Sequence, residues 1–202
     1  MVIVLVGVAV VIGAVLAWVN NITEKPIADK AQQTLAAGIK EVMGATDIKV
    51  EDPDSVKMEI QGKEAQFVIH IVHTTDGDYI GSAVESTTMG FGGDLKVLVG
   101  FNAEGEILGY TILQASETPG LGAKADKWFQ KDGKGCIVGK NPSKGELKVS
   151  KDGGDVDAIT ASTITSRAFL EAVNQAFAAY QGNNSDNSAN ADGESGASKQ
   201  HH

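Results

Sequence analysis

The sequence predicts an α+β fold: an antiparallel β-meander packed with helices, preceded by one N-terminal transmembrane helix. Three observations predict it, namely an uncharged apolar run at the N-terminus, a central region of alternating apolar and polar residues, and helical patterns on either side of that region. The chain has 202 residues, which suits one principal domain with short appendages. We therefore predict an anchor over residues 1–20, one domain over residues 21–182 and a disordered tail over residues 183–202.

The predicted anchor rests on the segment Met1–Val19, which contains no charged residue. A helix of about 19 residues spans about 28 Å, close to the roughly 30 Å of a bilayer's hydrocarbon core. Trp18 lies near its end, where an aromatic ring suits the lipid–water interface. A cleaved signal peptide is the alternative, but no basic residue precedes the run, and Ala14 and Ala17 do not have the spacing of a cleavage site.

A second helix is predicted over Ile27–Met43, where apolar residues recur at spacings of three and four. Pro26 lies just before it, where a missing N–H costs little, and Gly44 is a suitable stop. This amphipathic pattern is typical of a helix that packs one face on a core.

The region from residue 56 to residue 114 alternates with period two, which predicts antiparallel strands joined by short turns rich in Gly and Asp. The strand-like runs are Val56–Gln61, Ala65–His73, Tyr79–Thr87, Leu95–Phe101 and Ile107–Leu113, with turns at Asp76-Gly77, Gly90–Gly93 and Glu104-Gly105. His70 and His73 could suggest a metal site, but residues three apart on a strand point to opposite faces. We therefore interpret both histidines as structural.

A last helix is predicted over Thr160–Tyr180, again from apolar residues on one face. Beyond Gln181 the chain contains no large apolar residue, so burial cannot offset the entropy of ordering it. This composition predicts the disordered tail.

Charge and cysteine content exclude several classes of function. A net charge of −9 and a pI of about 4.9, without a cluster of Lys and Arg, argue against a nucleic-acid partner. Cys136 is the only cysteine, which excludes an intrachain disulfide and a cysteine-ligated metal cluster within the chain. No metal site and no catalytic acid–base pair is predicted.

The loop Ser116–Gly122 is one of two segments that depart from ordinary packing patterns. Pro119-Gly120 indicates a turn, and Gly122 removes a side chain where another group can approach the backbone. Taken alone, the loop is better interpreted as a plain connection into Ala123–Gln130.

The second segment is Asp157–Ser166, in which five of ten residues carry hydroxyl groups at the start of the last helix. Thr160 is the predicted N-cap, which would place Thr163 in the first turn. Free N–H groups and the helix dipole favour an anion there, such as a phosphate. The alternative is a Ser/Thr-rich cap that serves only the helix.

These two segments, together with Met89–Gly93, resemble the FMN-binding domain family of the Rnf electron-transport complex and the sodium-pumping NADH:quinone reductase. The resemblance covers nearly the whole chain, and the order and spacing are closer to the Rnf G subunit than to the longer quinone-reductase C subunit. In the family, the FMN phosphate esterifies the last Thr of an Asp-x-x-Ser/Thr-Gly-Ala-Thr motif. That residue is Thr163 here, and Ala161-Ser162 stands where the family has Gly-Ala.

The resemblance implies a set of cofactor-binding residues. These are Thr163, carrying FMN covalently through a phosphoester, together with Thr160, Ser162, Asp157, Glu117, Thr118, Leu121 and Gly122. The sequence places no His or Lys beside Thr163 to activate its hydroxyl, so we expect a separate flavin transferase to attach the cofactor.

The implied function is that of a membrane-anchored electron-transfer flavoprotein subunit of an ion-translocating ferredoxin:NAD⁺ oxidoreductase (Rnf) complex. Its partners would be the other membrane subunits of that complex, and FMN would supply the redox chemistry. We expect a single-pass protein of the bacterial cytoplasmic membrane, with its soluble domain on the extracytoplasmic, periplasmic side. The alternatives are the C subunit of the sodium-translocating NADH:quinone reductase and a flavin-free structural subunit.

Overall fold

The computed structural model describes residues 1–60 and 63–194. The chain divides into two compact units, Met1–Ala37 and Gly38–His202. Apart from Met1, the first unit belongs to helix α1 (Val2–Met43), and the second unit contains the last turns of that helix and every strand that the structure describes.

In residues 1–22 the large apolar side chains that the structure describes are exposed; Leu5, for example, is 70% exposed and Trp18 is 66% exposed. Within the described residues, no helix has both the length and the apolar character that crossing a membrane requires. The transmembrane helix predicted over residues 1–20 is therefore not shown by the structure. The predicted anchor and second helix are not separate, because α1 is continuous from Val2 to Met43. It ends at Met43, and Gly44 follows with a positive φ of 63°.

The second unit is built on a sheet of six antiparallel strands. The strands are β1 (Ile48–Val50), β2 (Asp54–Ile60), β3 (Lys63–Thr74), β4 (Tyr79–Met89), β5 (Asp94–Asn102) and β6 (Ile107–Ala115). Strands β3 to β6 are neighbours in chain order, while β1 and β2 pair with opposite ends of β3. The predicted α+β class and the meander are confirmed. Strand β1 was not predicted, because three residues are too few to show alternation.

The segment between β6 and the last helix contains short helical turns. Helix α2 (Ala125–Trp128) directly follows a 3₁₀ turn at Gly122–Lys124. Two further 3₁₀ turns come later in the segment, at Pro142–Lys144 and Ser150–Asp152. Tyr110 on β6 fixes α2, because its hydroxyl donates to the Ala125 carbonyl at 2.6 Å and accepts from the Phe129 N–H at 3.2 Å. Burial raises the pKa of the Tyr110 hydroxyl, which therefore stays protonated as a donor.

Helix α3 (Thr163–Glu194) packs on one face of the sheet. Phe169 stacks on Phe129 with ring centroids 4.3 Å apart, and the Thr88 hydroxyl donates to the Ala168 carbonyl at 2.9 Å. The last turn of α1 approaches the opposite face so closely that a Cβ at Gly100 would lie 2.8 Å from the Val42 carbonyl oxygen. The sheet is thus covered on both faces, which encloses the core.

Both ends of α3 differ from the prediction. The helix begins at Thr163 rather than Thr160, so Thr160 is not the N-cap. The start is later than predicted because Ala161 takes a left-handed conformation with φ 61°, which a helix cannot include. At the other end the helix continues past Tyr180 to Glu194. Asn183 is buried, and its amide donates to the Asp54 carboxylate at 3.2 Å, which draws this turn onto β2. Residues 195–202 of the predicted disordered tail lie outside the described residues.

A buried ionic cluster joins three central strands. His70 on β3 lies 2.8 Å from Glu85 Oε1 on β4, and Lys96 Nζ on β5 lies 2.6 Å from Glu85 Oε2. Burial by itself raises the pKa of the Glu85 carboxyl, but the hydrogen bonds from His70 and Lys96 outweigh it, so this pKa lies below its usual 4.5. The charged carboxylate therefore stabilises the fold at pH values above the unfolded-state pKa, and that contribution is lost as the pH falls through the lower folded-state pKa.

We expect Glu85→Gln to lower the free energy of unfolding at pH 7 by about 1–3 kcal/mol, because it removes a buried charge partner from Lys96 and His70. Urea unfolding at pH 7 and below pH 4 measures the difference, which should shrink at the acidic pH. Glu59→Gln on β2, where the side chain is exposed, is the control and should change neither value. An equal loss at both pH values would show that the carboxylate charge contributes nothing.

Candidate functional site

Three segments that are distant in the sequence meet at the N-terminus of α3 and enclose a cavity of about 370 Å³. They are the turn between β4 and β5, the loop after β6, and the first residues of the last helix. The lining residues are Phe91, Glu117, Thr118, Leu121, Ala161, Ser162, Thr163 and Ile164. A cavity of this size is in the range of small-molecule sites.

The Glu117 carboxylate holds the three segments together. Its Oε1 accepts hydrogen bonds from the backbone N–H of Phe91 at 2.8 Å and of Gly92 at 3.4 Å. Its Oε2 accepts from the hydroxyl of Thr165 at 2.7 Å, and Thr165 is fully buried on α3. Since one carboxylate bridges the loop, the turn and the helix, we call this set of hydrogen bonds the Glu117 bridge.

Glycines make room for the Glu117 bridge. A Cβ at Gly122 would lie 2.4 Å from Glu117 Oε2 and 2.7 Å from Thr165 Oγ1, and a Cβ at Gly90 would lie 2.1 Å from Glu117 Oε1. A Cβ at Gly92 would lie 1.9 Å from the Ser116 carbonyl oxygen. Only glycine permits these approaches without moving the backbone or the carboxylate.

Hydroxyl groups close the turn that leads into α3. The Ser162 carbonyl accepts from both the N–H and the hydroxyl of Ser166, at 3.1 and 3.0 Å. The Ser166 hydroxyl in turn accepts from the Ile159 N–H at 2.9 Å. Ala161 is the only non-glycine residue with positive φ in the described part of the chain, and it stands at the position where the resembling family has glycine.

The hydroxyls beside the cavity have different hydrogen-bond partners. Ser162 Oγ donates to Thr165 Oγ1 at 2.9 Å, and Thr165 donates to Glu117, so both donors belong to the bridge. Thr163 is half-buried, and its Oγ1 accepts from Lys151 Nζ at 3.4 Å. Ser162 precedes the helix and lines the cavity together with Thr163.

Lys151 brings a positive charge to Thr163 that the sequence did not predict. The lysine is exposed on the 3₁₀ turn Ser150–Asp152, and Arg167 on α3 holds this turn through two 2.7 Å hydrogen bonds to the Asp152 carboxylate. These hydrogen bonds from Arg167 lower the pKa of the Asp152 carboxyl. An ammonium group and the N-terminus of a helix both favour an anion at the Thr163 oxygen.

Known proteins resemble this chain across the whole site. Residues 90–178 match the family model of the FMN-binding domain, a range that runs from the β4–β5 turn into α3. Over 185 residues the chain is 32% identical to the G subunit of the Na⁺-translocating ferredoxin:NAD⁺ oxidoreductase complex of Acetobacterium woodii, covering 86% of this chain and 87% of that one. The chain belongs to this family of G subunits.

Other members of the family show the same likeness. The G subunit of the ion-translocating oxidoreductase complex of Cereibacter sphaeroides is 30% identical over 169 residues, covering 82% of this chain and 76% of that one. The corresponding G subunit of Shewanella amazonensis is 27% identical over 209 residues, covering 92% and 94% of the two chains. The predicted resemblance to the Rnf G subunit is therefore confirmed.

The structure brings together most of the residues that the resemblance implied for this G subunit. Thr163, Ser162, Glu117, Thr118 and Leu121 line the cavity, and Gly122 packs beneath Glu117.

Two of the implied residues do not line the cavity. Thr160 is exposed in the turn before α3. The side-chain carboxylate of Asp157 accepts a hydrogen bond from the Ser150 hydroxyl at 3.0 Å. The backbone carbonyl of Asp157 accepts one from the Trp128 indole N–H at 2.7 Å. Asp157 therefore supports the neighbouring segments.

Three contributors to the site were not predicted from the sequence. Phe91 and Ile164 line the cavity while 66% and 54% exposed, and Lys151 contacts Thr163. The Met89–Gly93 run was part of the resemblance and could have indicated Phe91. No local pattern indicates Lys151, because its position depends on the 3₁₀ turn packing beside α3.

The two histidines have separate partners. His70 bonds Glu85, and His73 Nε2 lies 3.1 Å from Glu51 Oε1 on another segment. No group of three or more potential metal ligands occurs among the described residues.

The residues of the cavity fit FMN, the ligand named by the matching family. Phe91, Leu121 and Ile164 offer exposed apolar surface of the kind that an aromatic ring system can contact. Lys151 and the first turn of α3 offer positive charge for a phosphate group at the Thr163 side of the same cavity. The site thus has separate places for the two chemical halves of the cofactor.

We expect Gly122→Ala to destabilise the domain by about 1–3 kcal/mol, because the new Cβ pushes into the Glu117 bridge. Thermal unfolding followed by circular dichroism measures the loss. Gly13→Ala, where a Cβ meets nothing within 4 Å, is the matched control and should not lower the melting temperature. If the two variants unfold alike, the bridge is not as tightly packed as its distances indicate.

Proposed function

We propose that this G subunit carries FMN covalently through a phosphoester on Thr163 and relays electrons within an ion-translocating ferredoxin:NAD⁺ oxidoreductase complex. The observation that carries the proposal is the cavity at the start of α3, where the Thr163 hydroxyl faces a lysine ammonium and the Glu117 bridge fixes the surrounding walls. FMN, when bound, supplies the redox chemistry, and the protein supplies position and electrostatics.

Three features of the residues support attachment at Thr163. The Thr165 hydroxyl is fully buried and donates to Glu117, which makes it inaccessible. The Ser162 hydroxyl donates to Thr165. Thr163 is left with a hydroxyl that lines the cavity and contacts Lys151, whose charge offsets that of a phosphodiester.

The same contacts support attachment by a separate flavin transferase. A threonine hydroxyl is a weak nucleophile that needs a nearby base to remove its proton. The charged group in contact with Thr163 is the Lys151 ammonium, which donates hydrogen bonds and cannot accept a proton. Glu117 is engaged with Phe91 and Thr165, so its carboxylate is held away from this task.

The proposed redox centre suits a relay of electrons. In the described residues the cavity is lined by one carboxylate, that of Glu117, which is committed to backbone and hydroxyl donors. The relatives are by name subunits of oxidoreductase complexes, and we propose that other subunits of such a complex are the electron donor and acceptor of this chain.

We also propose that residues 1–19 attach the protein to the bacterial cytoplasmic membrane, with the second unit on the extracytoplasmic side. This segment has no charged residue, and the large apolar side chains that the structure describes in it are exposed. Removing such a surface from water would be favourable by roughly 25 cal/mol for each Å² buried. The side of the membrane is inferred from the resemblance to Rnf G subunits.

We expect Thr163→Ala to abolish covalent flavin while leaving the fold intact, because alanine is compatible with the first turn of a helix. Thr163→Ser should keep part of the attachment, since the acceptor oxygen remains. In-gel flavin fluorescence after denaturation measures attachment, on proteins made with and without a flavin transferase.

Ser162→Ala is the matched control for attachment, because it removes the neighbouring hydroxyl and should keep the flavin. If the Thr163→Ala protein is fluorescent after denaturation and the Ser162→Ala protein is not, the attachment site is Ser162. Absence of flavin from the wild-type protein made with the transferase would support the flavin-free structural alternative.

We expect deletion of Met1–Val19 to give a folded protein that elutes as a single species in size-exclusion chromatography without detergent. The full chain is the control and should require detergent or membranes. A truncated protein that still aggregates without detergent would contradict attachment by this segment alone.

A further inference from the structure

A second cavity, of about 510 Å³, opens on the surface next to the proposed flavin site. The indole of Trp128 and the small residues Gly120 and Ala123 form its apolar part. Three lysines line its rim together with Asp126 and Asp132. With one neighbouring lysine, these three form what we call the lysine surface: Lys124, Lys127, Lys131 and Lys134.

The lysine surface has the opposite charge to most of the molecule. Residues 124–134 hold four lysines against two aspartates, whereas the rest of the chain holds 13 Lys and Arg against 24 Asp and Glu. All four lysines are exposed, and none of them forms an ion pair with another described residue. Residues 124–134 therefore keep a net charge of +2, and among the described residues these lysines form none of the ion pairs that hold the fold.

The apolar centre of the lysine surface is fixed in place. The Trp128 indole N–H donates to the Asp157 carbonyl at 2.7 Å, and Gly135 packs so close that a Cβ there would lie 2.9 Å from the indole ring. The next residue, Phe129, stacks in the core on Phe169. A tryptophan held this way in a surface cavity provides a ready contact for a partner, because little entropy is lost on binding.

The lysine surface also adjoins the flavin site. Gly120 lines this cavity, and the following residue, Leu121, lines the cavity at Thr163. A protein bound over Trp128 would therefore lie beside the proposed cofactor. Electrons tunnel efficiently only over short distances, so this is a suitable place for a redox partner.

We propose that the lysine surface is the docking site of an acidic electron-transfer protein or subunit, which places an apolar side chain against Trp128 and carboxylates against the lysines. The inference rests on the proposed function for the exchange of electrons. The remainder of the chain has a net negative charge, which disfavours such a partner, so the charge pattern both speeds the encounter and sets its orientation.

The first test is carbodiimide cross-linking of the intact purified complex, which joins lysines directly to carboxylates, followed by mass spectrometry. Cross-links from Lys124, Lys127 or Lys134 to Asp or Glu of one other subunit are expected. This readout does not depend on bound flavin, so its failure is distinct from failure of the proposed function. The proposal would be overturned if these lysines formed cross-links only within the chain while Lys49 or Lys57 formed cross-links to another subunit.

The second test reverses the charge of the lysine surface in a triple variant, Lys124→Glu, Lys127→Glu and Lys134→Glu. The control triple variant changes the net charge by the same amount, at exposed positions outside the lysine surface: Lys40→Glu, Lys49→Glu and Lys57→Glu. Flavin content is first measured by absorbance, and each complex is then reduced by NADH in a stopped-flow instrument.

At low salt we expect reduction of this chain's flavin to be about tenfold slower in the lysine-surface variant and within about twofold of wild type in the control. The difference should narrow as salt is added. Equal rates in the two variants would overturn the proposal. The proposal would also be overturned if the lysine-surface variant kept the wild-type rate of flavin reduction but no longer bound vesicles containing phosphatidylglycerol. The lysine surface would then contact a membrane.

Discussion

The bridge made by the Glu117 carboxylate is the interaction on which the site depends. It connects the β4–β5 turn, 26 residues away, to the first turn of α3, 48 residues away. Without it the exposed backbone N–H of Phe91 would lose its acceptor. The fully buried hydroxyl of Thr165 would lose the group to which it donates, and an unpaired buried polar group costs about 1–3 kcal/mol. Gly122 is needed because any side chain there would enter the space of the carboxylate. The position of Thr163 relative to the cavity walls therefore follows from one side chain and the glycines around it.

Charged side chains lie in three separate regions of the domain. Lys151 and the start of α3 provide positive charge at the Thr163 hydroxyl, where we propose the phosphoester. The lysine surface provides a second positive region that faces outward, where we propose a partner binds. Charge inside the sheet is instead neutralised locally, since Glu85 is paired with basic side chains on both neighbouring strands. Gly120 lines the cavity of the lysine surface and the next residue, Leu121, lines the cavity at Thr163, so one loop borders both of these proposed sites.

Much of this architecture could be predicted from sequence because it follows from local patterns. Alternation over residues 56–114 indicated the meander, and the concentration of glycines and hydroxyls indicated the two segments of the site. Contacts between distant segments have no such pattern. The approach of Lys151 to Thr163 requires the 3₁₀ turn to pack beside α3, and the start of α3 at Thr163 requires the left-handed Ala161. The continuity of α1 and the three-residue strand β1 were missed because a polar interval resembles a break and a short strand shows no period.

Attachment of the cofactor at Thr163 can be read directly by fragmentation mass spectrometry of the wild-type protein isolated from its native complex. Trypsin cleavage after Lys151 and Arg167 releases residues 152–167, which contain every hydroxyl that competes for the cofactor. We predict that this peptide carries one FMN moiety through a phosphoester and that the fragment ions place it on Thr163. An unmodified peptide, or a flavin mass located on Ser162 or Thr165, would contradict this assignment.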